Sequence, residues 1–124
     1  DGGEVYSAFS IIDYIQQCNI NIVTICEGCV SSSGVLISLA GNERYIRRNA
    51  FMLIHEIRSG FSGKFSEIQD DMDNNNIIME KCKQYILDRC NNKLLNNKID
   101  KFLKHDKIWS SKKCLKYGLV TKIV

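Results

Sequence analysis

The chain has 124 residues, of which 44% are hydrophobic and 25% charged, with a formal net charge of +3. That content suits one compact globular domain, and the mildly basic charge is spread along the chain. No apolar run reaches the length of a membrane span, and no cleavable signal is visible.

Val5, Phe9, Ile12 and Ile15 recur at helical spacing, so the first segment reads as an amphipathic helix ending at Cys18-Asn19. Ile20 to Cys26 is a β-branched run, expected to be a buried strand. Gly28-Cys-Val-Ser-Ser-Ser-Gly34 follows, read as a tight glycine turn and the start of a helix over Ser33 to Ala40 that Gly41 closes. Serines at such a junction have two meanings. They cap a helix, as serines commonly do. Alternatively, one hydroxyl is held for attack on a carbonyl, with unsatisfied helix N–H groups nearby for the developing oxyanion.

Tyr45-Ile46 and Phe51 to Ile54 read as strands, the second leading into His55. The strand–helix–strand alternation predicts α/β crossovers. Ser59-Gly-Phe-Ser-Gly63 reads as a flexible loop. Ser66 to Asn92 reads as a long polar helix with an interrupted apolar stripe through Ile68, Met72, Ile78, Met79, Cys82, Tyr85 and Ile86. Within it, Asp70 to Asn76 looks superficially like a calcium loop. It lacks the glycine and the bidentate glutamate at loop spacing and reads as a solvated helix face. Asn91-Asn92 marks a turn, Ile99 to Lys104 a short helix, and Ser110 caps a helix over Lys112 to Tyr117 that Gly118 stops. Leu119 to Val124 is the expected last strand. Trp109 reads as a core or interface residue, and Arg47 and Arg48 as loop surface. The basic residues between Lys101 and Lys116 read as a solvated face, without the aromatic interleaving of single-stranded nucleic-acid surfaces.

The six cysteines, Cys18, Cys26, Cys29, Cys82, Cys90 and Cys114, do not have the spacing of a secreted disulfide framework. Free, buried thiols in a reducing compartment are expected. Cys26-Glu-Gly-Cys29 has redox-pair spacing. The cis-proline expected opposite a thioredoxin-like pair is impossible in a chain without proline. No second close pair completes a zinc site either, and no metal is expected. The two cysteines are expected to be small buried residues flanking the glycine turn.

A His and an Asp stand downstream of the serines. His55 ends the apolar run Ala50-Phe-Met-Leu-Ile54, where an isolated His is ordinarily a structural residue. Asp106 lies in His105-Asp-Lys-Ile-Trp-Ser110, shortly before Tyr117-Gly-Leu-Val120. The order Ser, His, Asp is not that of the common proteases, but a triad is defined by geometry and not by order.

These motifs together resemble ClpP, the proteolytic subunit of the Clp protease. Family members carry Ser-Pro-Gly-Gly, a helix, a Gly-x-Ala-Ala-Ser-x-Gly turn and a strand ending Met-Ile-His-Gln-Pro. A long helix, Arg-Asp-x-Phe-x-Ser and a terminal Tyr-Gly-Leu-Val then follow. Here Asp1-Gly2-Gly3, Gly28 to Gly34, Met52-Leu-Ile-His55-Glu56, His105-Asp106-Lys-Ile-Trp-Ser110 and Tyr117-Gly-Leu-Val120 stand in the same order. Asp1 replaces the proline, Glu56-Ile57 the Gln-Pro, Ser31 and Ser33 the residues flanking the serine, and His105 the arginine.

The resemblance implies an α/β fold, the αβ spiral shared with crotonases, with a protruding handle helix and a single domain over residues 1–124. Upstream family elements are expected before Asp1. It implies a serine endopeptidase with Ser32 as nucleophile, His55 as base and Asp106 as its support. The Gly3 and Ser33 N–H groups would form the oxyanion hole. It implies seven-membered rings, of one or several chain types and possibly stacked, fed with unfolded polypeptides by an AAA+ Clp unfoldase. ATP would belong to that partner, since this chain has no P-loop; no cofactor, nucleic acid or membrane is expected. The Asn-, Lys- and Ile-rich composition is like that of proteins from AT-rich genomes; with the resemblance and the free thiols, a plastid (apicoplast) or mitochondrial stroma or matrix is expected, with the cytoplasm as alternative. The second reading open here is a silent ring subunit, as in ClpR-type members. A third is a crotonase-type acyl-CoA enzyme, which does not need this residue set.

Overall fold

A computed structural model of the chain describes residues 1–91, 94 and 96–124. Helix α1 (Val5–Gln17) opens the chain and ends at Cys18 as the helical spacing predicts. Strands β1 (Val23–Cys26) and β2 (Cys29–Ser31) lead into α2 (Ser33–Leu39). Strands β3 (Glu43–Ile46) and β4 (Phe51–Ile54) precede the long helix α3 (Phe65–Arg89). Helix α4 (Asn96–Leu103), strand β5 (Lys107–Ser110), helix α5 (Ser111–Lys116) and strand β6 (Lys122–Ile123) complete the order.

The strands form two sheets, β1-β3-β6 and β2-β4-β5. The chain visits them in alternation, β1 then β2, and β3 then β4, with a helix after each pair; this is the winding of a spiral of α/β turns. All pairs are parallel except β4 with β5, which is antiparallel. Between the elements lies one apolar core, in which Leu39, Ile46, Met52, Trp109, Cys114 and Leu119 are almost wholly buried.

Helix α3 has 25 residues, about 37 Å at 1.5 Å per residue. Its C-terminal half packs through Cys82, Ile86 and Leu87, while Phe65, Met72 and Ile77 are exposed. The half with no neighbour to cover it is the protruding helix of the expected fold. Asp70 to Asn76 lies inside this helix, so its carboxylates sit on a helix surface and not in a calcium-type loop.

Two arginines, Arg44 buried and Arg89 partly buried, join the layers. Arg89 donates to the carbonyls of Leu39 (2.6 Å) and Gly41 (2.6 Å), meeting oxygens that the end of α2 leaves unpaired. Arg44 donates to the carbonyls of Arg89 (3.1 Å), Leu119 (3.2 Å) and Gly118 (3.4 Å). The C-terminal end of α2 is thereby anchored, and its other end begins at Ser32.

Several expectations are corrected. The Ile20 to Cys26 run is not a buried strand. Only Val23–Cys26 pairs, and Val23 and Ile25 are exposed because they share the uncovered face of β1, while Cys26 on its other face is buried; Ile20, before the strand, is exposed too. Cys26 is buried but Cys29, at the start of β2, is exposed. Gly41 follows the cap residue Ala40 and serves a different purpose from an αL cap. A Cβ there would lie 2.7 Å from Thr24 Oγ1 and 2.8 Å from Glu43 O, so the chain needs glycine for close approach to β1. Of Leu119 to Val124 only Lys122–Ile123 is strand, while Leu119 and Val120 drop into the core. Asn91 occupies the expected turn with a φ of +50°, whereas Asn92 lies outside the described residues.

Candidate active site

Pairing between three strands decides where the candidate residues go. Strands β2 and β4 are parallel neighbours, with Ser31 opposite Leu53, so the residues that follow each strand emerge at the same edge. These are Ser32 and His55. Strand β5 runs against β4, with Lys107 opposite Ile54, so the residue that precedes β5 reaches that edge too. This is Asp106. Three side chains far apart in sequence meet because one pair is parallel and the other is not.

Ser32 forms a sharp elbow between β2 and α2. Its φ of +53° and ψ of −126° lie where a residue with a Cβ is seldom found. The backbone is held on both sides: Ser32 N–H donates to Leu53 O (2.9 Å), and Val35 N–H donates to Ser32 O (2.9 Å). Such an outlier persists only where its surroundings impose it, and a partly exposed serine on a strained strand-to-helix turn has the geometry of a nucleophile elbow. As the residue before α2, Ser32 makes no side-chain capping bond. The capping reading of the serines therefore does not describe it.

The first residues lie directly on this elbow. A Cβ on Gly2 would fall 2.5 Å from Ser32 Cβ and 3.1 Å from Ser32 Oγ. A Cβ on Gly3 would be 3.8 Å from Ser33 Oγ, and one on Gly34 would be 3.0 Å from Asp1 O. Gly2 and Gly3 thus lie against Ser32 and Ser33. Glu4 fixes the far side of this segment. Its carboxylate accepts from the N–H groups of Ser7 (2.6 Å) and Tyr6 (2.8 Å), capping α1. Those bonds hold the Glu4 carboxyl below its ordinary range, the Ser7 N–H first and the Tyr6 N–H second.

Gly3, Ser32, Ser33 and His55 line one cleft of about 280 Å³. Its opposite wall is apolar and comes largely from α3, through Ile78, Met79, Cys82 and Ile86. Burial raises the Cys82 thiol above its ordinary range, so this wall carries no ready thiolate. Arg58 and Glu4 stand at the rim of the same cleft.

His55 is nearly buried, its side chain 11% exposed. Asp106 lies beside it, with Oδ1 4.0 Å from His55 Nδ1. That separation is too long for a hydrogen bond. Among the described residues, His55 Nδ1 has no hydrogen-bond partner. The other oxygen of Asp106 is paired with Arg58. Glu56 N–H donates to Leu103 O (2.9 Å), tying the stretch after His55 to the end of α4 and holding both sides of the site together. Behind Asp106, Trp109 packs edge-on against Phe102, their centroids 4.8 Å apart, and lies 5.2 Å from Tyr117. This cluster gives β5 a rigid seat, so Trp109 is a core residue, while His105 is exposed.

Of the five residues expected from sequence, Ser32, His55 and Asp106 adjoin strands at one sheet edge, and Gly3 and Ser33 line the same cleft as Ser32 and His55. Glu4 and Arg58 were missed. Glutamate is an unusual N-cap, and an ion pair between residues 48 apart leaves no local pattern. Among the described residues, no group of three or more His, Cys, Asp or Glu is placed to hold a metal ion, and no helix is long and apolar enough to cross a membrane. The chain matches the Clp protease family model over residues 1–124, and it belongs to the Clp protease family.

Proposed function

We propose that this chain is a serine peptidase subunit of a Clp-type protease. The observation that carries the reading is the convergence of Ser32, His55 and Asp106 where β2, β4 and β5 share an edge. Ser32 Oγ attacks a peptide carbonyl while His55 takes its proton. The negative oxygen of the tetrahedral intermediate is met by the N–H groups of Gly3 and Ser33. His55 then protonates the leaving amine, an acyl-Ser32 ester remains, and water activated by His55 releases it. Asp106 keeps the imidazole oriented. The apolar wall from α3 accepts an apolar substrate side chain.

Family members form oligomeric rings that work with AAA+ unfoldases. For this chain we propose seven-membered rings, of one or several chain types, receiving unfolded polypeptides from an ATP-consuming unfoldase. This chain itself would need no cofactor. Six unpaired cysteines, four of them buried, support a reducing compartment such as a plastid stroma or mitochondrial matrix. Imaging the full-length protein in cells tests that address, and secretion would refute it.

The test of activity is hydrolysis of a fluorogenic peptide by assembled rings, comparing the chain with Ser32→Ala. Turnover that falls by about three orders of magnitude or more in the variant is expected. Equal rates would reject Ser32. One observation favours a second reading, a silent subunit that shapes the ring: Asp106 stands off His55 and is paired with Arg58 instead. Assembled wild-type rings without hydrolysis would select that reading.

A further inference from the structure

The pairing of Arg58 with Asp106 has no counterpart in a plain Ser–His–Asp arrangement. Arg58 lies in the stretch between β4 and α3, shortly after His55, and its side chain is 73% exposed. Its guanidinium donates to Asp106 Oδ2. Asp106 Oδ1 is then 4.0 Å from His55 Nδ1, about 1 Å beyond a hydrogen bond. His55 Nδ1 is buried and lacks a partner among the described residues. A buried polar atom left unpaired is costly, so the imidazole gains by drawing the carboxylate in. A charge-assisted bond to Arg58 on the other oxygen opposes that movement.

We propose that Arg58 is a positioning residue that acts on His55 through Asp106, holding the carboxylate off the imidazole. The inference rests on the triad reading above and names how that site is restrained. With Arg58 engaged, Asp106 stands at ion-pair distance and His55 is poorly oriented. With Arg58 withdrawn, Asp106 closes on Nδ1 and completes the relay. The hold is weak by nature, because an exposed ion pair competes with water. It is therefore a restraint that can be released, and it differs from a lesion such as loss of a triad residue.

The test uses Arg58→Gln and Arg58→Lys in assembled rings. Arg58 is exposed, so neither change threatens folding. The first readout is the rate of labelling by a fluorophosphonate probe. Release of one exposed ion pair predicts a rise of about fivefold for Arg58→Gln. Arg58→Lys keeps the charge without the planar fork and falls between. The second readout is the low-field imidazole N–H resonance of a His55–carboxylate bond, recorded in a Ser32→Ala background with histidine labelled. The chain has only two histidines, so His105→Gln assigns it. The resonance should be absent with Arg58 present and appear in Arg58→Gln. The inference is overturned if it is already present with Arg58 intact, or stays absent in Arg58→Gln. It is also overturned if the chain labels and Arg58→Gln labels no faster. If nothing labels and the resonance still appears on removal of Arg58, the restraint stands and the nucleophile reading falls.

Discussion

Replacing Gly2 with alanine adds one methyl group at the most crowded point of the site. That methyl would stand 2.5 Å from Ser32 Cβ, 3.1 Å from Ser32 Oγ and 3.2 Å from Ser31 O. Carbon atoms at rest stay about 3.5–4.0 Å apart, so something must move by about 1 Å or more. Ser32 is pinned by bonds from its N–H to Leu53 O and from Val35 N–H to its carbonyl. The segment Asp1 to Gly3 is exposed, so it yields, and the Gly3 N–H proposed as oxyanion donor is displaced with it. A misplacement of about 1 Å costs about 10²-fold in rate, and loss of an oxyanion donor costs about 10²–10³-fold. Gly2 is exposed, so stability should change by no more than about 0.5 kcal/mol. The assay is peptide turnover beside thermal unfolding, with Gly60→Ala as control, since nothing lies within 4 Å of a Cβ there. Turnover by Gly2→Ala equal to that of the control would refute the account of the oxyanion side.

Other outcomes follow from the packing and the titrating groups. Arg44→Met should destabilise the fold by about 2 kcal/mol in denaturant titration, because the buried carbonyls of Leu119, Gly118 and Arg89 each lose a donor. An unchanged midpoint would contradict that role. The Glu4 carboxyl is depressed in the folded chain from an ordinary value of 4.5. Its contribution is therefore present above that pH and is lost as pH falls through the folded value. The stability difference between the chain and Glu4→Gln should exist at neutral pH and shrink as pH falls; a difference that does not change with acidification would count against the cap. Burial pushes Cys90 up to about 11 and Cys114 up to about 12. A thiol reagent at pH 8 should therefore modify exposed Cys18 and Cys29 first and reach Cys26, Cys82, Cys90 and Cys114 only on unfolding. Fast reaction of all six would contradict the packing.

Elements with a local cause were legible in the sequence. Helix α1 shows its spacing in Val5, Phe9, Ile12 and Ile15, and α5 shows its start in Ser110, whose hydroxyl accepts from Lys113 N–H (3.4 Å). Elements made by distant pairing were not. Strand β2 has three residues and exists because β4 lies beside it; in the sequence it merges with the glycine turn at Gly28. Strand β5 reads as an unremarkable stretch until Trp109 is seen opposite Met52. The exposure of Val23 and Ile25 depends on one face of β1 being left uncovered, which an unbroken apolar run does not reveal. The positions of Ser32, His55 and Asp106 were legible through motif resemblance and not through spacing alone. The stand-off between Asp106 and His55 was not legible, because it depends on Arg58 reaching across to Asp106.

The most direct measurement is to locate the adduct of a fluorophosphonate probe by mass spectrometry in assembled rings. Three serines stand side by side at Ser31, Ser32 and Ser33, and only Ser32 occupies the elbow. The account predicts modification of Ser32 alone, lost in Ser32→Ala and in His55→Ala. An adduct on Ser31 or Ser33, or labelling that survives His55→Ala at full rate, would contradict it.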